Sequence, residues 1–281
     1  MRTQALMHTP PYWDDTSQSQ TVTCNSMRQI TIIILTFLFS TVASANCSHS
    51  GIYCLSKTST LNKNGLIILE FYALSQLLIS DLNTKYPIYL KSPNEKVQLN
   101  VIETLTGEKS LTQVVLKPAT ELKVDELYTL QIDNLPNYER QPESYNSTSK
   151  KWESSKFKIN KIVDNDIPTL NNTPTEQKKT LVYYGCGPES WVYFAITGHD
   201  ESELFVRANV KNKEKGKVTT YILTIENGVT LVGHGMCSGA FKFDSGSNFE
   251  VTFQLFDQSG NKSNSSSEIA FTKPAIESNN D

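Results

Sequence analysis

Long helices are what this sequence lacks. Downstream of Asn64 no apolar pattern of helical spacing runs past two turns. That absence removes the crossover helices a parallel α/β sheet requires. No hydrophobic run approaches the about 20 residues of a membrane-spanning helix. Histidine is scarce, four in 281 residues, and cysteine is limited to five. An excess of one charge is missing too, with 26 Lys and Arg against 29 Asp and Glu and a net charge of −3. Such a balance offers no electrostatic footprint for nucleic acid or for an anionic membrane surface. Absent as well are G-x-S-x-G, H-E-x-x-H, a phosphate-binding loop, an EF-hand loop and a dinucleotide fingerprint. The expectation is a protein that binds and does not catalyse, with no cofactor.

What the sequence does contain begins with an export signal. Met27-Arg28-Gln29 precedes a ten-residue apolar run at 30–39, and Ala43-Ser44-Ala45 follows. One positive charge, a short apolar stretch and small residues at the two peptidase positions match a cleavable secretory signal. The run is half the length of a membrane span. Cleavage is expected after Ala45, with translation starting at Met27, so residues 1–45 are set aside. Asn46, not Cys47, follows the cleavage site, which argues against a lipid anchor. The expected location is secreted, periplasmic or at the cell surface, with no transmembrane anchor.

Cys47, Cys54, Cys186 and Cys237 remain in the mature chain. An even count in an exported protein argues for disulfides. Of three possible pairings, Cys47–Cys54 and Cys186–Cys237 avoid interlocking distant parts of the chain, and they are the expectation. The first would close an N-terminal loop over 46–63. The second would tie a later region together.

Everything else reads in period 2 with β-branched and aromatic residues. Strands are expected at 65–71, at 86–90 (an edge, because Pro87 donates no hydrogen bond), at 97–101, 111–116, 128–132 and 156–159. A single short helix or turn fits 74–82. A polar connector, 164–179, carries Pro168 and Pro174 and marks a boundary. Strands resume at 181–184, and 191–196, nearly continuous in apolar residues, is expected at the centre of a second core. Further strands follow to 271. The predicted architecture is all-β: two Ig-like antiparallel sandwiches in tandem over 64–166 and 167–274, with a disordered tail at 275–281.

A resemblance supports this division. Leu116-Lys-Pro118-Ala-Thr-Glu-Leu122, running into Tyr128-Thr-Leu130, resembles the segment before the Y-x-L strand of bacterial Ig-like domains of S-layer type. Asp257-Gln-Ser-Gly260-Asn261-Lys-Ser263 is similar to the turn before the last strand of bacterial Ig-like and fibronectin-III-like repeats. Tyr128 and Phe249 enter their strands where Ig-like sandwiches place a tyrosine corner. The resemblance implies a fold and a bacterial surface location, and it carries no catalytic residues; adhesion is among the expected roles of the exported protein.

Three constellations have chemistry to offer. Gly233-His234-Gly235-Met236-Cys237 assembles the soft ligands of a copper site, with His234 and Met236 as its candidates. The blander reading makes Cys237 a disulfide partner, Met236 a core residue and the glycines a turn. Asp164 and Asp166, ahead of Pro168, are oxygen donors that fit a junction Ca2+, against an Asx-rich turn as the simpler reading. Tyr138, Tyr145 and Trp152, in the polar segment 136–155, form either an exposed recognition loop or a cap on the first core. The function expected is binding of an envelope protein or glycan. The alternatives are a periplasmic copper carrier and an accessory module of a polysaccharide-degrading enzyme.

Overall fold

The computed structural model describes residues 50–275, all within one compact unit, Cys47–Asp281. The export signal, Ala45, Cys47 and the tail beyond Ala275 lie outside the described residues. No helix among the described residues is long and apolar enough to cross a membrane.

The first half contains β1 (Gly51–Cys54), β2 (Thr60–Leu61), β3 (Ile67–Tyr72), a 3-10 helix over Ala73–Asp81, β4 (Ile88–Lys91), β5 (Lys96–Thr106), β6 (Leu111–Pro118), β7 (Leu127–Ile132), β8 (Glu143–Asn146), β9 (Lys151–Ser154) and β10 (Lys156–Ile159). They form one continuous sheet in the order β2-β10-β7-β4-β5-β6-β3-β1-β8-β9. β5 is the corner: its first residues pair with β4, its later ones with β6, and its register shifts between Val101 and Glu103. A bulge bends a strand, and here it folds the sheet over a core of Ile67, Leu69, Phe71, Leu90, Leu99, Tyr128 and Phe157. β4 lies inside the sheet, not at an edge, because Pro87 falls one residue ahead of the strand and no ladder donor is lost. Tyr128 is fully buried. Its hydroxyl accepts the Lys123 N–H at 3.0 Å and donates to Glu95. That backward bond makes the tyrosine corner the sequence suggested.

The second half contains β11 (Thr169–Leu170), β12 (Thr175–Tyr184), β13 (Gly187–Ala195), β14 (Gly198–His199), β15 (Leu204–Asn212), β16 (Val218–Thr224), β17 (Val229–His234), β18 (Asn248–Asp257) and β19 (Ile269–Thr272). A three-stranded sheet, β12-β13-β17, faces a four-stranded one, β16-β15-β18-β19. β13 is central to its sheet, as its apolar run required. Val192, Phe194 and Ile196 meet Phe205, Phe253 and Leu255 in the core, with Phe194 and Phe253 edge to face at 5.0 Å. Phe249 stacks on Phe271 at 5.5 Å where the first half has its tyrosine corner. The turn after β18 needs Gly260, whose φ is +96°. A Cβ there would also lie 2.9 Å from Leu66 Cδ1 of the first half.

That last contact belongs to a wider feature. β3 and β6 are apolar on both faces. Ile67, Leu69, Val114 and Leu116 point into the first core, while Ile68, Leu111 and Val115 join Leu66 and Leu105 in the second. One wall therefore serves two cores, which is why 65–71 and 111–116 lack polar alternation. Polar ties reinforce it. Arg207 grips Glu103 with two bonds of 2.6 and 2.8 Å. Glu108 accepts from Thr219 and from the Lys242 N–H, each at 2.7 Å. Glu203 accepts the Lys57 N–H at 2.8 Å.

Residues 46–63 do not form the expected disulfide loop. Gly51–Cys54 pairs along β3 and Thr60–Leu61 along β10, so these described stretches belong to the sheet. Cys54 points into the first core as a free, buried thiol. Cys186 is likewise free, in the exposed turn between β12 and β13. Cys237 is disulfide-bonded, but to neither of these two. The pairings Cys47–Cys54 and Cys186–Cys237 are therefore both corrected. Burial pushes the Cys54 thiol up to about 12, which suppresses the reactive thiolate. Alkylation of the native protein should therefore label Cys186 rapidly. Cys54 should become reactive only on unfolding, and Cys237 only after reduction. Peptide mapping after each step is the check, and early labelling of Cys54 would contradict the burial.

Candidate functional site

The aromatic segment 136–155 resolves into structure that the sequence did not announce. Residues 143–154 form the β8–β9 hairpin, with Tyr145 directly opposite Trp152. Parallel pairing of Tyr53 with Glu143 brings β1 alongside. The rings form a chain: Tyr145 meets Trp152 at 5.5 Å, Trp152 meets Tyr53 at 4.6 Å, and Tyr53 meets Tyr72 at 5.4 Å. Trp152 keeps 51 % of its surface exposed and Tyr145 keeps 40 %. These two rings stand in solvent on an outermost hairpin and do not cap the core. Tyr138 is exposed as well, but the ring chain does not include it.

The hairpin is stiffened from its turn. Asn146 Oδ1 accepts the N–H groups of Thr148 (2.9 Å) and Ser149 (3.1 Å). Ser149 Oγ and Asn146 Nδ2 donate to Glu153 at 2.6 and 3.1 Å. Those two donors hold the Glu153 carboxyl below its usual range, so it is charged at neutral pH. Beside Tyr145 opens a cleft of about 510 Å³, lined by Thr58, Thr60, Ser144, Asn146, Glu153 and Lys156. It offers hydroxyls, an amide, a carboxylate and an ammonium within reach of an exposed ring.

The His234 loop looks less like a metal centre than its composition suggested. His234 is 2 % exposed. Its Nδ1 lies 2.9 Å from the Gly235 carbonyl and 3.1 Å from Lys109 Nζ. That nitrogen donates to the first or accepts from the second, but not both. The Lys109 ammonium also bonds the Gly235 carbonyl at 3.1 Å. Burial first, and the Lys109 charge as well, lower the His234 pKa. A cation this close opposes a metal ion at the same nitrogen. Cys237, being disulfide-bonded, supplies no thiolate.

At the junction the structure groups Asp164 with Asp200 and Asp257, their carboxylate oxygens within 4.8 Å of one another. Asp166 enters only through its backbone: its N–H donates to Asp164 Oδ1 at 3.0 Å, which makes the Asx turn. Internal donors already serve the three carboxylates. Ser202 Oγ bonds Asp164, and the Ser202 N–H bonds Asp200 at 2.7 Å. Asp257 accepts the N–H groups of Ser259 and Asn261 and the Asn261 amide, at 2.8–2.9 Å. The cluster braces the junction and its turn. Sequence reasoning reached Asp164 but not its partners, which lie 36 and 93 positions away.

No protein-family model matches the chain, and no curated protein matches it. Among solved structures it is similar to the pullulanase of Anoxybacillus sp. LM18-11, at 9 % identity and TM-score 0.22, over 75 % of this chain and 24 % of that one. The type I pullulanase of Bacillus subtilis str. 168, complexed with maltose, shows 10 % identity and TM-score 0.20 over 79 % and 24 %. The tandem Ig repeats of Dlar show 8 % identity and TM-score 0.23 over 78 % and 96 %. The chain thus spans about a quarter of the length of the pullulanases it matches. Identities and scores at this level transfer neither function nor family; what stands, from the strands and sheets themselves, is an all-β fold of packed antiparallel sheets.

Proposed function

We propose that this is an exported, non-enzymatic binding protein that recognises a glycan at the bacterial cell envelope, using the Trp152–Tyr145 face and the adjoining polar cleft. The observation that carries this reading is the pairing of exposed rings with a hydroxyl- and carboxylate-lined cleft. A sugar ring presents C–H groups on its faces and hydroxyls around its rim. The faces stack on aromatic planes, and the rim bonds to Ser, Thr, Asn and Glu side chains. Exposed aromatic rings gathered side by side, as Tyr145 and Trp152 are, mark an interaction surface more than scattered ones do. The stiffened hairpin keeps them in place, which limits the ordering cost of binding.

Titration calorimetry with envelope polysaccharide fragments tests the reading. Trp152→Ala should weaken binding by about tenfold or more, as truncation of an aromatic anchor does. Because Trp152 is half exposed, melting temperature should change little. Equal affinity in wild type and Trp152→Ala would defeat the proposal. Binding only to envelope proteins, sensitive to the same substitution, would replace the glycan by a protein partner.

A further inference from the structure

Between the two halves lies a second cleft of about 390 Å³. Its walls are apolar and aromatic: Leu111 and Tyr72 from the first half, Trp191, Leu231 and Tyr221 from the second. Glu70 also lines it. This volume, an interface location and an apolar lining with few polar groups are the usual features of a small-molecule site.

Glu70 is the feature the fold does not explain. It sits on β3, whose other side chains are almost all apolar. Tyr72 Oη donates to its Oε2 at 2.9 Å and Gln113 Nε2 to its Oε1 at 3.1 Å. Both donors are neutral. Among the described residues every ion pair uses other carboxylates, and no Lys or Arg neutralises Glu70. Glu226, at the same cleft, already pairs with Lys57 at 2.5 Å. Tyr221, 1 % exposed, feels the Glu70 charge, yet its hydroxyl closes no hydrogen bond, and it is one of two such buried side-chain polar atoms among the described residues. Burial raises the Glu70 carboxyl above its usual range. A desolvated carboxylate without a counter-ion is costly in a folded protein. Here it retains part of its surface, and that surface faces the cleft.

We propose that this cleft binds a small organic ammonium ion, its cationic nitrogen against the Glu70 carboxylate and its hydrocarbon body along Trp191, Tyr72 and Leu231. The cation supplies the missing counter-charge, and the ring faces attract it through their quadrupoles. The apolar walls accept the hydrocarbon body by area burial. The site is separate from the glycan face.

Calorimetry on the full chain tests this with three probes of similar size: benzylamine, benzyltrimethylammonium and the neutral benzyl alcohol. Both cations should bind, and the alcohol should bind at least about tenfold more weakly. Glu70→Gln keeps the side-chain volume and removes the charge, and should weaken the cations by about tenfold or more. Leu231→Trp, on a half-exposed wall outside the Glu70 hydrogen bonds, fills the cleft and should abolish binding even if Glu70→Gln proves poorly folded. Trp152→Ala should leave ammonium binding unchanged, which separates this site from the aromatic hairpin. Failure of the cations to bind, equal affinity for the alcohol, or unchanged affinity in Leu231→Trp would overturn the proposal.

Discussion

Replacing Asp257 with Ala should remove about 3–5 kcal/mol of stability, read from urea unfolding. The side chain is fully buried, and three donors converge on it: two backbone N–H groups and one amide. Ala would leave all three without an acceptor in a buried turn, and each such loss is worth about 1–3 kcal/mol. Asn261 Nδ2 also reaches the Asp164 carbonyl at 3.2 Å, so the damage spreads into the connector. Partial relief comes from the other members of the cluster. Burial raises the Asp257 carboxyl, and the Asp164 and Asp200 charges raise it further, against the bonds from Asn261. With a folded pKa above the unfolded one, its contribution is fully present in acid and declines as pH rises through the folded value. Asp257→Asn imitates the uncharged form. It should cost less than Ala and flatten that acid-side pH dependence. A loss under about 1 kcal/mol for Ala would show that the turn holds its shape without this residue.

Gln113→Ala is expected to cost about 2–4 kcal/mol and to change the form of unfolding. Gln113 lies on β6 with no exposed surface. Its Nε2 donates to the Ile222 carbonyl at 2.6 Å, and its Oε1 accepts the Ile222 N–H at 2.9 Å. Ile222 belongs to β16, the edge of the four-stranded sheet. A side-chain amide thus stands in for the missing neighbouring strand and joins the two halves. Removing it strands both backbone groups and takes one donor from Glu70. The shared apolar wall should make unfolding of the wild type one cooperative transition. In Gln113→Ala the transitions of the halves should begin to separate, with Trp152 and Trp191 fluorescence no longer coincident. Coincident curves at unchanged midpoint would show that the wall alone couples the halves.

How much of this was readable beforehand depended on distance along the chain. Local signals were good guides: the Tyr128 corner, the Asp257–Asn261 turn, the central strand at 191–196 and the short helix after β3 all follow from neighbours within a few residues. The β8–β9 hairpin was obscured by its polar, exposed composition, since an outermost strand buries little and loses the alternation that marks a strand. A usable hint was present in Tyr145 and Trp152 flanking a polar Asn-Ser-Thr-Ser-Lys turn. Cysteine pairing was not readable at all: a count limits the possibilities, but the outcome depends on which strand face each residue occupies. Cys54 falls on the inward face of β1, and no spacing rule reveals that. The Glu70 cleft required both halves in place, because Trp191, Tyr221 and Leu231 in its walls lie 121 to 161 positions from Glu70.

The wall formed by β3 and β6 has a consequence for the protein's history. Tandem sandwiches are ordinarily modular: a gene can gain, lose or exchange one without harming its neighbour, because the boundary is a polar linker. Here a break at the connector would uncover Leu66, Ile68, Leu105, Leu111 and Val115 together. A fragment carrying that stripe would present a sticky, strand-bearing surface to other chains. Recombination within the connector would therefore be selected against, and the pair should be inherited as one cassette, with insertions confined to the outlying hairpins.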